Sequence, residues 1–310
     1  MEKPLNWTKA GRVFADPDAA REHLEMLRWG KSGAVCPHCG GADPYKLTPK
    51  ATSARPGRKG LYKCKACRKQ FTVTVGTVFE DSHIPLNKWF QAIYLITASK
   101  KGISSHQLHR MLDVTYKSAW FMTHRLRYAM TQEPFVTKLR GIVEADETYV
   151  GGRRRMNARG SNKTAVVALL ERGGRVKAMP MERVTADTVG RVIERNVAHT
   201  ATLMTDEAGI YKSFSESAGM KHHAVNHSRD EYVRGTVHSN SVEGFFSLLK
   251  RGLNGTFHHV GKGHLGRYVD EFAFRYNARG VSDAARAELL VKGIEGKRLT
   301  YKQPARTSEN

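Results

Sequence analysis

The 310-residue chain has no apolar run that approaches the length of a membrane span, and neither end carries a lipidation signal. It also lacks a recognisable secretory signal peptide, which argues against a secreted protein held together by disulfides. Acidic residues are few, with Asp+Glu 29 against Lys+Arg 51 and a formal net charge of +22. A basic surplus of this size indicates a polyanionic partner, with nucleic acid the first candidate and an anionic membrane surface the second.

Cysteine is scarce as well, and its positions are informative. The four cysteines form two Cys-x-x-Cys pairs, Cys36 with Cys39 and Cys64 with Cys67. Each pair, set on a tight turn, can present two thiolates to one ion, and two pairs complete the tetrahedral shell that Zn²⁺ favours. Two disulfides, or four unrelated thiols, are the alternatives. Because the four cysteines are confined to the first quarter of the chain, the sequence predicts a structural zinc ribbon.

Changes in composition divide the chain into segments. Leu24, Leu27 and Trp29, on an amphipathic stretch, are expected to pack on the ribbon. The polar, basic loop of residues 48–60 is either a solvated connection or a contact with phosphates. The predicted segments are an N-terminal amphipathic segment 1–30, the zinc ribbon 31–78, a helix-turn-helix-like region 79–135, an α/β domain 136–285 and a basic, flexible tail 286–310.

Residues 102–120 have the pattern of a helix-turn-helix. Ser104 or Ser105 can cap a first helix that holds Leu108 and Leu112, and a second helix follows the turn. An ordinary helical hairpin is the alternative, since such patterns are common. The basic residues of the second helix predicted to bind DNA are Lys117, Arg125 and Arg127.

From Leu139 onward, short apolar runs typical of strands appear. The predicted elements are strands over 141–150, 165–171, 176–184 and 201–206, a helix over 186–197, and further helices from about 239. A turn rich in glycine, residues 172–175, favours a hairpin between the second and third strands. Three strands, a helix, a strand and then helices form the skeleton of an RNase H-like α/β domain.

Acidic residues within strands are unusual in so basic a chain. Asp146 lies in the middle of a predicted strand, on the same face as Glu144 and Thr148. Asp206 ends another apolar run. Carboxylates on two neighbouring central strands can bridge one or two Mg²⁺ ions, although a single aspartate of this kind is more often a turn or capping residue.

A predicted helix supplies further polar groups. At helical spacing Asn240, Glu243, Ser247 and Lys250 fall within one narrow stripe, while apolar residues such as Phe246 point toward a core. The stripe is either a solvated face or a source of a carboxylate, an amide and a cation that could hold a phosphate. Only the second interpretation provides what a metal-dependent phosphodiester site requires.

Together these motifs resemble the zinc-ribbon transposases of bacterial insertion sequences. The similarity extends over roughly residues 14–280. The segments that carry it are the ribbon, Glu144–Thr148, Thr205–Glu207, His238–Arg251, Gly255–Val260 and Tyr268–Asn277. The resemblance implies an RNase H-like catalytic domain with an Asp-Asp-Asn/Glu-Lys set of catalytic residues.

The resemblance also implies roles for individual residues. Asp146, Asp206 and Glu243 would bind two Mg²⁺ ions, and Lys250 and Arg251 would contact DNA. Related enzymes are described with Asn as the third member of the set, and this chain offers both Asn240 and Glu243. A charged carboxylate is the better Mg²⁺ ligand, so Glu243 is favoured, with Asn240 orienting metal or substrate.

The implied activity is DNA transposition. Such a protein would bind the terminal inverted repeats of an insertion sequence and would catalyse strand cleavage and strand transfer on double-stranded DNA. It would act as a homodimer or larger assembly, in the cytoplasm at the bacterial nucleoid and without a membrane partner. A structure-specific nuclease on the same fold, and a regulator that binds DNA without catalysis, are the alternatives.

Overall fold

The computed structural model describes residues 11–48, 59–131, 137–151, 163–206, 209–225 and 238–300. The chain divides into two compact units. The first unit comprises Met1–Ser99, Ile103–Ala129 and Val281–Pro304, and the second unit comprises Lys100–Gly102, Met130–Gly280 and Ala305–Asn310. No helix in the described ranges is both long enough and apolar enough to cross a membrane.

The first unit begins with helices that lead into a small antiparallel sheet of order β1-β2-β3. Its helices and strands up to the second unit are α1 (Gly11–Ala15), α2 (Pro17–Trp29), β1 (Pro44–Lys46), β2 (Tyr62–Cys64), β3 (Gln70–Phe71), α3 (Leu86–Ala98), α4 (Ser105–Leu112) and α5 (Tyr116–Met130). The part of the basic loop between residues 49 and 58 lies outside the described residues.

Helix α2 starts where the sequence provides a capping aspartate followed by a proline. Asp16 accepts hydrogen bonds from two backbone amides of the first turn, and Pro17 occupies the first helical position. At its other end Trp29 stands edge-on to the ring of Tyr62, with centroids 5.1 Å apart, and so packs on the ribbon as predicted. Leu27 instead lines a small cavity beside α3, so the prediction for that residue is wrong.

The predicted pair of helices with a short turn is present as α4 and α5. Ser104 Oγ accepts from the amide of Gln107 at 3.1 Å, which caps the start of α4. Asp113 ends α4 in the left-handed region at φ 48°, and Thr115 then caps α5 by accepting from the Ser118 amide at 3.1 Å. Local capping chemistry therefore fixes the turn.

Two of the predicted DNA-binding residues lie in the interior. Arg125 is only 6% exposed, and its Nη1 donates to the carbonyl oxygens of Val78 at 2.8 Å and Glu80 at 2.9 Å. Arg127 is fully buried. The prediction that these two arginines bind DNA is wrong, because their guanidinium groups satisfy buried polar atoms and cannot reach a phosphate while the unit is folded. Lys117, near the start of α5, is exposed.

The second unit is a five-stranded sheet of order β6-β5-β4-β7-β8 with helices on both faces. Its elements are β4 (Ile142–Val150), β5 (Thr164–Glu171), β6 (Val176–Met181), α6 (Ala186–Asn196), β7 (Thr202–Thr205), α7 (Gly209–Ala218), β8 (Lys221–Ala224), α8 (Asn240–Gly252), a π-helical turn (Leu253–Phe257) and α9 (Lys262–Asn277). Strands β4, β5 and β6 are antiparallel, whereas β7 and β8 run parallel to β4.

Alternation along β5 separates two hydrophobic clusters. Val166, Ala168 and Leu170 pack with α8 and α9, while Val167 and Leu169 pack with α6 and α7. The sheet is therefore buried on both faces, as expected of a three-layer α/β domain. This confirms the predicted RNase H-like fold, and it adds a fifth strand, β8, that the sequence analysis did not predict.

The C-terminal segment returns to the first unit. Helix α10 (Asp283–Lys292) starts at the capping residue Ser282 and buries Leu290 and Val291. Beyond it, Gly296 donates its amide to the carbonyl of Gly76 at 2.9 Å. The prediction of a flexible tail from residue 286 is wrong for residues 286–300, because four apolar side chains between charged ones are buried there. They are Leu290, Val291, Ile294 and Leu299.

Candidate metal centre and active site

The four cysteines converge on one point of the first unit. Their sulfur atoms all lie within 4.8 Å of one another, with Cys36 Sγ 3.7 Å from Cys67 Sγ and Cys39 Sγ 3.6 Å from Cys64 Sγ. Four sulfurs arranged tetrahedrally at a Zn–S distance of about 2.3 Å would be about 3.8 Å apart. The spacing therefore fits a Zn²⁺ ion and is far too long for disulfide bonds.

The two turns that carry these cysteines have the same construction. Each first cysteine's carbonyl accepts the amide four residues on, from Gly40 at 2.9 Å and from Arg68 at 3.0 Å, and both donors have positive φ. The amide of Cys67 also points at the sulfur of Cys64, 3.5 Å away. That amide lowers the pKa of the Cys64 thiol to about 7, so the backbone is arranged to stabilise a thiolate.

In the second unit, strand β4 places Asp146 at the centre of an acidic cluster. Its Oδ1 accepts the backbone amide of Glu147 at 2.7 Å. Burial, and to a smaller extent the charges of Asp206, Glu147 and Glu243, raise the pKa of Asp146 to about 7 against the lowering effect of that amide. The negative charges of Asp206 and Glu243 thus act on Asp146.

Sheet register explains why Asp206 lies near Asp146. Strands β4 and β7 are parallel, with Glu144 opposite Met204. Asp146 and Asp206 each come two residues later, so Asp206, directly after the end of β7, lies level with Asp146 in the middle of β4.

Helix α8 supplies the third carboxylate and the cations. Its polar stripe is exposed, whereas Val242, Phe245 and Leu249 are fully buried against the sheet. Ser239 Oγ donates to Glu243 Oε1 at 2.8 Å. The predicted division of this helix into a polar and an apolar face is therefore confirmed.

A cleft of about 750 Å³ lies between β4 and α8. Its lining residues are Asp146, Glu147, Thr148, Glu243, Phe246, Ser247, Lys250, Arg251, Asn254 and Gly255. Asn240, which is exposed, does not line it, and neither does Asp206. Acidic and basic side chains thus meet in one open cleft, where the carboxylates suit a hard divalent cation and the two cations suit a phosphate.

Two further acidic residues of β4, Glu147 and Glu144, have structural partners that the sequence did not reveal. Glu147 accepts a hydrogen bond of 2.7 Å from the hydroxyl of Tyr211, a fully buried residue of α7. Glu144 is also fully buried, and its Oε2 accepts the backbone amides of Ser241 at 2.8 Å and Val242 at 3.0 Å. The sequence placed Glu144 on the same face as Asp146 but could not reveal its bonds to α8, because that helix is almost a hundred residues away.

Two models of known protein families match this chain. Residues 138–277 match the family model described as "ISXO2-like transposase domain", and residues 15–70 match the "Transposase zinc-ribbon domain". The zinc ribbon and the acidic cleft described above fall within these two matches. The molecule is thus a transposase of the zinc-ribbon class.

A relative encoded in a mobile element places the chain more narrowly. The "Uncharacterized protein in transposable element ISH50" of Halobacterium salinarum is 30% identical over 283 residues, which cover 85% of this chain and 92% of the relative. The chain therefore belongs to this family of insertion-sequence transposases.

One solved structure is also similar. It is titled "Crystal structure of a pre-cleavage Mos1 transpososome", with 14% sequence identity, coverage of 68% of this chain and 80% of that chain, and a TM-score of 0.22. A TM-score this low supports no conclusion about the activity of the chain.

Proposed function

We propose that this transposase binds the terminal inverted repeats of its element and catalyses metal-dependent DNA cleavage followed by strand transfer. The observation that carries the proposal is the single cleft that holds Asp146, Glu243 and Lys250, with the charge of Asp206 acting on Asp146. Carboxylates from a central strand, a neighbouring strand and a helix then face the same phosphodiester bond.

In this proposal Asp146, Asp206 and Glu243 hold Mg²⁺. When bound, two such ions would activate the attacking oxygen and stabilise the leaving oxygen of an in-line displacement. Asp146 would have to lose its proton to act as a metal ligand, because its pKa is raised to about 7. Lys250 and Arg251, two turns further along α8, orient the scissile phosphate.

Glu243 is the better candidate for the third ligand. It lines the cleft, and its charge acts on Asp146, whereas Asn240 lies outside the cleft lining. Asn240 occupies the first position of α8. From there it would orient substrate or metal without replacing the carboxylate.

Recognition of DNA is assigned to the first unit. Lys117 is exposed at the start of α5, the second helix of the helix-turn-helix-like pair, and the zinc ribbon lies in the same unit. A net charge of +22 favours strong contact with the phosphate backbone, so binding should weaken steeply with salt. Processing both ends of an element together requires a homodimer or a larger assembly.

A strand-transfer assay tests the proposal. Purified protein, Mg²⁺ and a labelled duplex of the flanking repeat would be incubated with the parent and with Asp206→Ala, Glu243→Ala and Asn240→Ala. The matched control is Asp187→Ala, which removes an exposed aspartate on α6 that pairs with Arg191. We expect joined products from the parent and the control, none from Asp206→Ala and Glu243→Ala, and a partial loss from Asn240→Ala.

Other results would point to other activities. Cleavage without any joined product would indicate a nuclease. Repeat-specific binding without cleavage in Mg²⁺ or Mn²⁺ would indicate a regulator or an inactive descendant. Full activity of Glu243→Ala together with an inactive Asn240→Ala would assign the third ligand to the asparagine.

A further inference from the structure

A second layer of polar groups lies behind the acidic cleft, and its centre is Glu144. This carboxylate has no exposed surface, although it lies on the central strand only two residues before Asp146. A buried carboxylate is costly unless its oxygens are hydrogen-bonded. Here its Oε2 accepts the amides of Ser241 and Val242, and its Oε1 accepts the Ser241 hydroxyl at 3.1 Å.

These bonds cap a helix from outside its own sequence. The amides of Ser241 and Val242 belong to the first turn of α8, where helix backbone amides have no partners within the helix and the helix dipole favours a negative charge. Ser239, at the capping position, makes no capping bond there. Strand β4 therefore performs the capping, which fixes the start of α8 directly against the strand that carries Asp146.

Arg172 links β4 and the start of α8 to a third element, strand β7. It lies in the turn between β5 and β6, and its Nε donates to Glu144 Oε1 at 2.8 Å. Its Nη2 donates to the carbonyl oxygen of His238 at 3.0 Å, lies 3.2 Å from His238 Nδ1, and is 3.6 Å from the sulfur of Met204. One guanidinium thus contacts β4, β7 and the residue that leads into α8.

Each contact point lies two residues before a candidate catalytic residue. Glu144 precedes Asp146, Met204 precedes Asp206, and His238 precedes Asn240 at this spacing. Ser241 stands in the same relation to Glu243. Two residues along a strand keep the same face and move about 6.6 Å, so Glu144 and Arg172 form a layer directly behind the catalytic candidates.

We infer that Glu144 and Arg172 are positioning residues. They hold the start of α8 at a fixed distance from β4 and β7, and thereby set the spacing of Glu243 and Asn240 relative to Asp146 and Asp206. The inference rests on the proposed function of the cleft, but the contacts themselves can be tested without catalysis. Groups that orient metal ligands typically affect metal affinity or activity by about 10–100-fold when they are changed.

Two variants remove the connection from opposite sides. Glu144→Gln keeps the size of the side chain, and its carbonyl oxygen can still accept from α8, but its amide group then faces Arg172. Arg172→Met keeps a long side chain and removes every guanidinium contact. The matched control is Val189→Ala, which removes buried volume from the hydrophobic cluster on the other face of the sheet.

The first measurement is amide hydrogen exchange of peptides that cover residues 238–246, together with Mn²⁺ affinity measured by electron paramagnetic resonance. We expect both variants, but not Val189→Ala, to exchange faster in these peptides and to bind Mn²⁺ about 10–100-fold more weakly. Parent-like exchange and Mn²⁺ affinity in both variants would overturn the inference, whatever the catalytic result.

The second measurement is the rate of strand cleavage as a function of Mg²⁺ concentration. We expect both variants to need more Mg²⁺ and to cleave about 10–100-fold more slowly at saturation, while repeat binding by the first unit stays unchanged. A Glu144→Gln, Arg172→Met double variant should lose little more than the worse single variant, because the two residues act as one unit.

Equal losses in Val189→Ala would overturn the inference by showing that stability alone is responsible. A parent that neither cleaves nor joins would defeat the proposed function, and exchange and Mn²⁺ affinity would still decide the inference.

Discussion

The two candidate metal sites of this transposase are built in opposite ways. The four cysteines come from two short turns, and their sulfurs already lie at the spacing that Zn²⁺ requires. The acidic cleft draws on β4, β7 and α8, and burial, together with the neighbouring negative charges, raises the pKa of Asp146 to about 7. The cysteine site is built to gain stability for its local fold from a bound metal ion. In the acidic cleft, the surrounding fold keeps carboxylates of like charge near one another.

The largest expected effect tests the dependence of the ribbon on zinc. Cys64→Ser removes a buried ligand whose thiolate is supported by a backbone amide. Structural Zn²⁺ contributes roughly 10–16 kcal/mol of binding free energy in small zinc domains, so we expect loss of bound zinc and unfolding of the ribbon. Metal analysis and tryptophan fluorescence would measure this, because Trp29, Trp89 and Trp120 belong to the first unit and residues 130–280 contain no tryptophan. Asp206→Ala should retain its zinc, and a Cys64→Ser protein that did the same would contradict the assignment.

A second test asks whether zinc alone holds the first unit together. Leu290→Ala removes a fully buried side chain of α10 and should cost about 2–5 kcal/mol of unfolding free energy. Its neighbour is the control, since Leu289 is 42% exposed and its replacement by alanine should change the free energy by no more than about 0.5 kcal/mol. Denaturant titrations followed by tryptophan fluorescence would compare them. Equal effects from the two leucines would show that the C-terminal segment is not part of the unit.

A third test measures the free-energy cost of ionising Asp146 in the folded state. A carboxyl group whose pKa rises from 3.8 to about 7 on folding stabilises the folded state at low pH, and this contribution is lost as the pH rises through about 7. In Mg²⁺-free buffer, Asp146→Asn should therefore be more stable than the parent at pH 8, by on the order of 1 kcal/mol, and the gain should disappear near pH 4. Circular dichroism melts with Asp187→Asn as the control would check this. A gain that does not depend on pH would exclude the ionisation of Asp146 as its cause.

The smallest expected effect concerns DNA binding. Lys117→Met should weaken binding to a repeat duplex only a few-fold, and it should reduce the slope of log affinity against log salt by about one, as expected for one phosphate contact. Lys212→Met, which changes an exposed lysine of α7 in the second unit, is the control. Fluorescence anisotropy over a series of salt concentrations would separate the two, and an unchanged slope would remove Lys117 from the interface.

Local patterns in the sequence predicted local features well. The cysteine spacing, a serine cap at 104 or 105 and the apolar face of α8 depend on residues within a few turns of one another. All three predictions are confirmed, with Ser104 as the capping serine. The aspartates could be identified because a charge inside an apolar strand needs an explanation. Their proximity follows from the parallel register of β4 and β7, which the RNase H-like pattern implies.

Long-range features could not be predicted in this way. Arg172 looked like an ordinary turn residue, and only the folded sheet shows that it contacts three separate elements. The basic residues of α5 had the charge of a DNA contact, but charge does not show which face of the helix is buried, and Arg125 and Arg127 lie inside. The polar appearance of residues 286–300 hid a few apolar side chains whose partners precede them by about two hundred residues.

The return of the chain to the first unit has a consequence for biosynthesis. The second unit is inserted into the sequence of the first, between Ala129 and Val281. During translation the ribbon and the helix-turn-helix-like pair emerge early, yet the unit that contains them lacks α10 until residues 283–292 have been made. A message cut short between α9 and α10 would therefore yield a protein with every catalytic candidate present and its proposed DNA-binding unit unfinished.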